Sequence, residues 1–120
     1  MNLISTLYEV KAIVQPFLAD RVVAALHEIP ELPGVTVSEV RGFGRSRGLP
    51  EAHQRSAEDE FAYVNKTKLE VVVSAFVLPA VITAIQKNGH TGNPGDGKIF
   101  IIPVSDVIRI RTGERGEAGI

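Results

Sequence analysis

Tyr8, Val10, Ala12 and Val14 alternate with Glu9, Lys11 and Gln15 as far as Pro16, and directly beyond that proline the apolar spacing changes to Leu18, Val22, Ala25, Leu26 and Ile29. A period of two suits a strand with one covered face, and a period near 3.6 suits a helix with one apolar stripe. The helix is expected to stop at Pro30, whose ring disfavours helical angles at the residue before it. His27 falls within this helix, where it reads as a surface or boundary residue.

The same two rhythms recur further along. Val35, Thr36, Val37 and Val40 follow Gly34 as a second strand, and Leu69, Val71 and Val73 set the period of a third that begins near Lys66 and pairs with it. A helix is expected from Ala75 to Asn88, with Pro79 tolerated in its first turn and Asn88-Gly89 as its stop. Lys98 to Val104 reads as a fourth strand, and a short extended stretch, Val107 to Arg111, precedes a polar tail, residues 112–120, expected to be mobile. Strand, helix, strand, strand, helix, strand is the order of an α+β, ferredoxin-like βαββαβ sandwich, an antiparallel sheet with both helices on one face. At 120 residues a single domain, 1–120, is expected. That architecture hosts many functions and decides none of them.

Composition narrows the choice. Thirteen basic and fourteen acidic side chains leave a net charge of −1, so no global field draws nucleic acid or anionic lipid, and an anion site must be local. The seven aromatic residues are scattered and form no RNA-binding pattern, which argues against a nucleic-acid module. Without cysteine there is no disulfide, thiol chemistry or Cys-based zinc site. The longest apolar run, Ala75 to Ile85, is eleven residues and too short to span a bilayer. The start, MNLISTLYEV, is unlike a secretory signal, so a cytoplasmic location is expected.

Three local features stand out. TGNPGDGKIF, residues 91 to 100, places Gly92, Gly95 and Gly97 ahead of a strand, either as a tight turn or as a cradle whose amides converge on a phosphate, with Lys98 adding a point charge. GFGRSRGLPEAHQRSAEDEFAYVN, residues 42 to 65, joins two strands that a few residues would connect, and reads either as a solvated insertion or as a charged arm for a partner. Arg109 and Arg111, two apart on an extended chain, would send both guanidinium groups from one face toward a polyanion, or else form a solvated edge.

Together with VQPF (14 to 17), GVTVSEVRGFGR (34 to 45), KLEVVV (68 to 73) and VIRIRTGE (107 to 114), the glycine segment makes the chain resemble the PII signal-transduction proteins from its first strand to its tail. The resemblance implies a homotrimer with adenine-nucleotide sites, for ATP, ADP or AMP, in clefts between subunits. It implies that Gly95, Asp96 and Gly97 form the phosphate loop with Lys98 as its lysine, that Arg109 and Arg111 reach the phosphates across the subunit boundary, that Gly44 and Arg45 lie at the base of the long loop, and that Thr36 stands beside the adenine. It also implies that the long loop addresses a partner, a membrane transporter or a regulatory enzyme.

The departures bear on that expectation. Ser46 stands where the family pattern has a glutamine that ligates magnesium and helps hold 2-oxoglutarate, which leaves both ligands open here. The tyrosine modified in many members is absent, with His53 near its place, and Asn93 replaces a common lysine. The expected function is a nucleotide-sensing regulator and not an enzyme. The rival is a slow nucleotide hydrolase in the same cleft, against which His27, His53 and His90 lack metal-ligand spacing and no base is paired with a nucleophile.

Overall fold

The computed structural model describes residues 6–43 and 63–120. Its main elements are β1 (Leu7–Val14), α1 (Ala19–His27), β2 (Thr36–Gly42), β3 (Val64–Ser74), α2 (Leu78–Gly89) and β4 (Lys98–Pro103), with single 3-10 turns at Pro16–Leu18 and Gly116–Gly119. The four strands form one sheet in the order β2-β3-β1-β4, every neighbouring pair antiparallel. This is the ferredoxin-like arrangement expected from the alternating rhythms, and β2 pairs with β3 as foreseen.

One core accounts for the alternation. Val10, Ala12 and Val14 of β1 and Leu69, Val71 and Val73 of β3 meet Val22 and Leu26 of α1 and Leu78, Val81 and Ile85 of α2. Both helices therefore cover the same face of the two central strands, and they pack against each other. The helices leave β2 uncovered, so Val37 is half exposed although it belongs to the helix side. On the opposite face Lys66, Lys68 and Glu70 of β3 alternate with the buried residues, and Lys68 and Glu70 approach to 3.7 Å.

The helix boundaries follow from the prolines. Helix α1 ends at His27, two residues short of the residue before Pro30, because its last turns tighten: Glu28 and Ile29 donate to Ala25 and Leu26 at 3.3 and 3.0 Å. Helix α2 begins at Leu78 and not at Ala75, since Pro79 has no N–H to donate four residues back to Ala75. Its first bonds come instead from Ala80 and Val81 to the Val77 carbonyl, at 3.1 and 3.2 Å.

Two expectations fail beyond β4. Val107 to Arg111 is no strand: Ile108 bridges Arg115, the Arg109 amide donates to the Glu114 carbonyl at 2.9 Å, and the Gly113 amide returns to the Arg109 carbonyl at 2.7 Å. Arg109 thus stands at the base of a small hairpin and Arg111 within its turn, so the two do not share one extended face. Residues 112–120 are folded rather than loose. The Asp106 carboxylate collects the amides of Val107 and Gly116 at 2.8 and 3.0 Å and the Arg115 guanidinium at 2.8 Å. A single acid ten residues upstream organises a segment whose polar, glycine-containing composition resembles a free tail.

Leu26 is wholly enclosed, so Leu26→Ala is expected to destabilise the fold by about 2–5 kcal/mol in urea unfolding. Val37→Ala on the uncovered strand is expected to change it by about 0.5 kcal/mol or less.

Candidate functional site

The glycine segment leaves α2 at Gly89 and enters β4 at Lys98. Asp96 folds it from within: its carboxylate accepts the amides of Thr91 and Gly92 at 2.7 and 2.9 Å and the Thr91 hydroxyl, which in turn accepts the Asn93 amide at 3.1 Å. The Thr91 hydroxyl foremost, then the two amides, lower the Asp96 pKa to about 2, so the carboxylate is anionic across the physiological range. Asp96 is therefore a bracket that shapes the loop, with its oxygens committed to Thr91 and Gly92.

Two glycines are required by position. Gly97 has φ +102° and lies so close to β1 that a Cβ would sit 1.7 Å from the Ile13 carbonyl oxygen. Gly95 has φ +98°, and its carbonyl accepts a hydrogen bond from the Lys66 ammonium, which also donates to the Gln15 side-chain oxygen at 3.3 Å. Pro94 and Gly95 form a turn that directs the Asp96 amide back toward the Asn93 carbonyl, and among the described residues the Gly95 amide has no backbone acceptor. The loop thus has the tight turn of the first reading, with Lys98 at its exit and Lys66 at its flank.

Lys66 and Gln15 were not singled out in the sequence. They stand 29 and 80 positions from Gly95, and each fits the polar half of its own strand's alternation, so no local signal marks them. Only the sheet, which sets the end of β1 beside the start of β3, brings them to the loop.

The remaining residues gather elsewhere. Thr36 opens β2 and lines a groove of about 350 Å³ with Glu9, Gly34, Glu70, Val72 and Ile120. Arg109 joins this side, donating from Nη2 to the Ile120 carbonyl at 2.5 Å and approaching Glu114 at 3.5 Å. Arg111 makes no ion pair among the described residues, and Ile110 beside it is fully exposed. Thr36 pairs with Glu70, Glu70 with Lys11 and Lys11 with Phe100, whereas Lys98 pairs with Ile13, so Thr36 and Lys98 lie on opposite edges of the sheet. From a strand spacing of about 4.8 Å and a rise of about 3.4 Å per residue, they are roughly 15 Å apart. One chain therefore keeps two separate groups of these residues, the glycine loop with Lys98 and Lys66 at one edge, and at the other Thr36, whose groove reaches Arg109 through Ile120.

Gly44, Arg45, Ser46 and His53 lie outside the described residues. The stem of the long connection is within them. Arg41 lies 5.0 Å from the centre of the Tyr63 ring, and Phe43 meets that ring edge-on at 5.9 Å. These contacts tie the two ends of the connection together, each contributing on the order of 1 kcal/mol.

The fold agrees with what known proteins show. The family model for nitrogen regulatory protein P-II matches residues 7–114. A nitrogen regulatory protein P-II homolog of Arabidopsis thaliana is 50% identical over 113 residues, 94% of this chain and 57% of the relative, so the chain spans little more than half the length of that plant protein. The nitrogen regulatory protein P-II of Azospirillum brasilense is 47% identical over 108 residues, covering 90% of this chain and 95% of the relative. A crystal structure of Arabidopsis thaliana PII bound to citrate superimposes with a TM-score of 0.78 at 45% identity, covering 97% of this chain and 94% of that one. The chain belongs to the nitrogen regulatory protein P-II family. Its relatives are named for nitrogen regulation, not for catalysis.

Gly97→Ala is expected to destabilise by about 2 kcal/mol or more, because a strained backbone and a clash with the Ile13 carbonyl add. Gly92→Ala, whose Cβ would meet only the His90 ring at 3.7 Å, is expected to lose about 1 kcal/mol, and denaturant unfolding compares them. Asp96 has a depressed folded pKa, so its stabilising contribution is complete above pH 3.8 and is lost as pH falls toward 2. A carboxyl titration followed by NMR should place its midpoint near 2, and a midpoint at or above 3.8 would show that the bracket does not form.

Proposed function

We propose that the chain is a nucleotide-sensing regulator in which ATP, ADP or AMP binds between two copies of a homotrimer. The phosphates lie on the Gly95, Asp96 and Gly97 amides with Lys98 of one copy, while Thr36 of the next faces the adenine and Arg109 and Arg111 reach the phosphates. Gly44 and Arg45 complete the site from the base of the long connection. The observation that carries this reading is the separation of the two half-sites on opposite edges of one sheet, which a ligand bridging two copies would join.

Further features support it. The sheet face away from the helices carries Phe100 and Ile102 exposed on β4 next to Lys11 and Glu9 of β1, a mixed apolar and charged surface that a neighbouring copy would cover. The Arabidopsis structure is of PII bound to citrate, a polyanion, in keeping with an anion site on this fold. Among the described residues no group of three His, Asp or Glu is placed to hold a metal, and Ser46, at the magnesium-ligand position of the family pattern, lies outside them.

The output is the connection 42–65 between β2 and β3. Thr36 and the stem residue Arg41 share β2, and Lys66, which holds the glycine loop, lies three residues beyond Tyr63. A nucleotide that changes the contacts of Lys66 therefore acts next to the stem. Nucleotides differing in their outer phosphates would favour different loop states by their differential affinity. The recipient is a membrane transporter or a regulatory enzyme in the cytoplasm. No helix among the described residues is long and apolar enough to cross a membrane.

Lys98→Ala and Arg111→Ala are each expected to weaken adenine-nucleotide binding by about 1.5–3 kcal/mol, roughly 10- to 150-fold, in titration calorimetry. Mixed assemblies of the two variants should regain some wild-type sites, because intact half-sites then meet across a boundary. Absence of heat or competition with any adenine nucleotide at millimolar concentration would remove the proposal.

A further inference from the structure

We infer that Ile110 is an anchor that each copy lends to its neighbour: it enters the groove between α2 and β4 of the adjoining copy and so positions Arg109 and Arg111 beside that copy's Lys98. The inference rests on the nucleotide reading above and names the contact that holds its two parts together. Ile110 acts through the arginines and does not itself touch the ligand.

The hairpin that carries Ile110 is well braced. Ile108 bridges Arg115, the Arg109 amide donates to the Glu114 carbonyl at 2.9 Å, and the Arg115 guanidinium donates to the Asp106 carboxylate at 2.8 Å. Its turn nevertheless runs through Ile110, Arg111 and Thr112, where glycine, proline, asparagine or aspartate would suit the backbone better. Ile110 is also fully exposed, so its own core gains nothing from it. A β-branched apolar side chain at the tip of a braced turn is therefore favoured neither by local conformation nor by packing within the chain. Its two neighbours are the arginines proposed to cross the subunit boundary, and wherever they arrive Ile110 arrives with them.

A receiving surface lies at that destination. Helix α2 leaves the flank of β4 open as a groove of about 420 Å³, walled by Ile82 and Ile85 of α2 and by Ile99 and Ile101 of β4. Ile99 and Ile101 pair with Ala12 and Val10 of the core, so they stand on the helix side, yet Ile101 is still 37% exposed. Asp96 and Lys98 line the same groove, which therefore reaches the glycine loop. Among the described residues β4 has no strand on its outer edge, so a neighbour's hairpin can pass over it. A chain does not fill its own groove, because Val107 at the base of the hairpin faces the groove of Thr36 instead. Knob and hole on different surfaces of one chain make a head-to-tail contact, the kind that repeats around a ring.

Lys98, Arg109 and Arg111 repel one another until phosphates arrive. Burial of Ile110 is independent of the ligand, so it holds the arginines in place ahead of binding and lowers the ordering cost of the site.

The test uses full-length chains. Ile110→Asp should dissociate more readily on dilution in sedimentation and bind ATP about tenfold more weakly or worse in calorimetry, whereas Ile110→Leu should restore both. Because the chain has no cysteine, Ile110→Cys co-expressed with Gln86→Cys, a change at the groove, and treated with a short bismaleimide should give covalent pairs that neither variant gives alone. Unchanged assembly and affinity in Ile110→Asp, or no covalent pair from an assembled protein, overturns the anchor while the nucleotide site stands. If the wild-type protein assembles but binds no adenine nucleotide, the nucleotide reading falls and the covalent pair alone decides the anchor. A wild-type chain that sediments as a single copy overturns both.

Discussion

The close approach of Gly97 to the Ile13 carbonyl fixes the position of everything around the glycine loop. Strand β1 is held on both sides, by β3 and by β4, and it carries Val10, Ala12 and Val14 into the core. A loop pressed against such a strand inherits its rigidity. Lys66 adds a second tether through the Gly95 carbonyl, and Asp96 a third from inside. The amide of Gly95 is consequently oriented before any ligand arrives, which lowers the ordering cost that a flexible loop would impose on binding.

The antiparallel order has an equally direct consequence for the second half of the site. With β3 and β1 central, β2 and β4 are forced to opposite edges, and no side-chain movement within one chain brings Thr36 to Lys98. In the proposed site a ligand would read the boundary between copies, and β2 and β3, which bear Thr36 and Lys66, also carry the stem closed by Arg41, Phe43 and Tyr63. On that proposal affinity, assembly and the state of the long connection would be one linked equilibrium.

Much of the fold was legible because its signals are local. The alternation of β1 and β3, the stripe of α1 and the place of Pro79 each depend on neighbours a few residues away. Where sequence reasoning erred, the deciding contact was longer. Asp106 recruits Arg115 and Gly116 and turns an apparent tail into a folded hairpin. That fold also removed the argument from a shared face for Arg109 and Arg111. Lys66 was invisible for the same reason, since its partners come from β1 and from the loop before β4.

The sequence by itself determined the order of elements, the family and the glycine-rich loop, because periodicity, proline stops and motif spacing are properties of contiguous residues. Only the tertiary structure decided that Gly97 admits no side chain, that Asp96 braces the loop from within, that Thr36 and Lys98 stand at opposite edges, and that Ile120 rests on Arg109. Each of those facts is a contact between segments far apart along the chain. Such a contact exists only once the sheet has set its strand order and register.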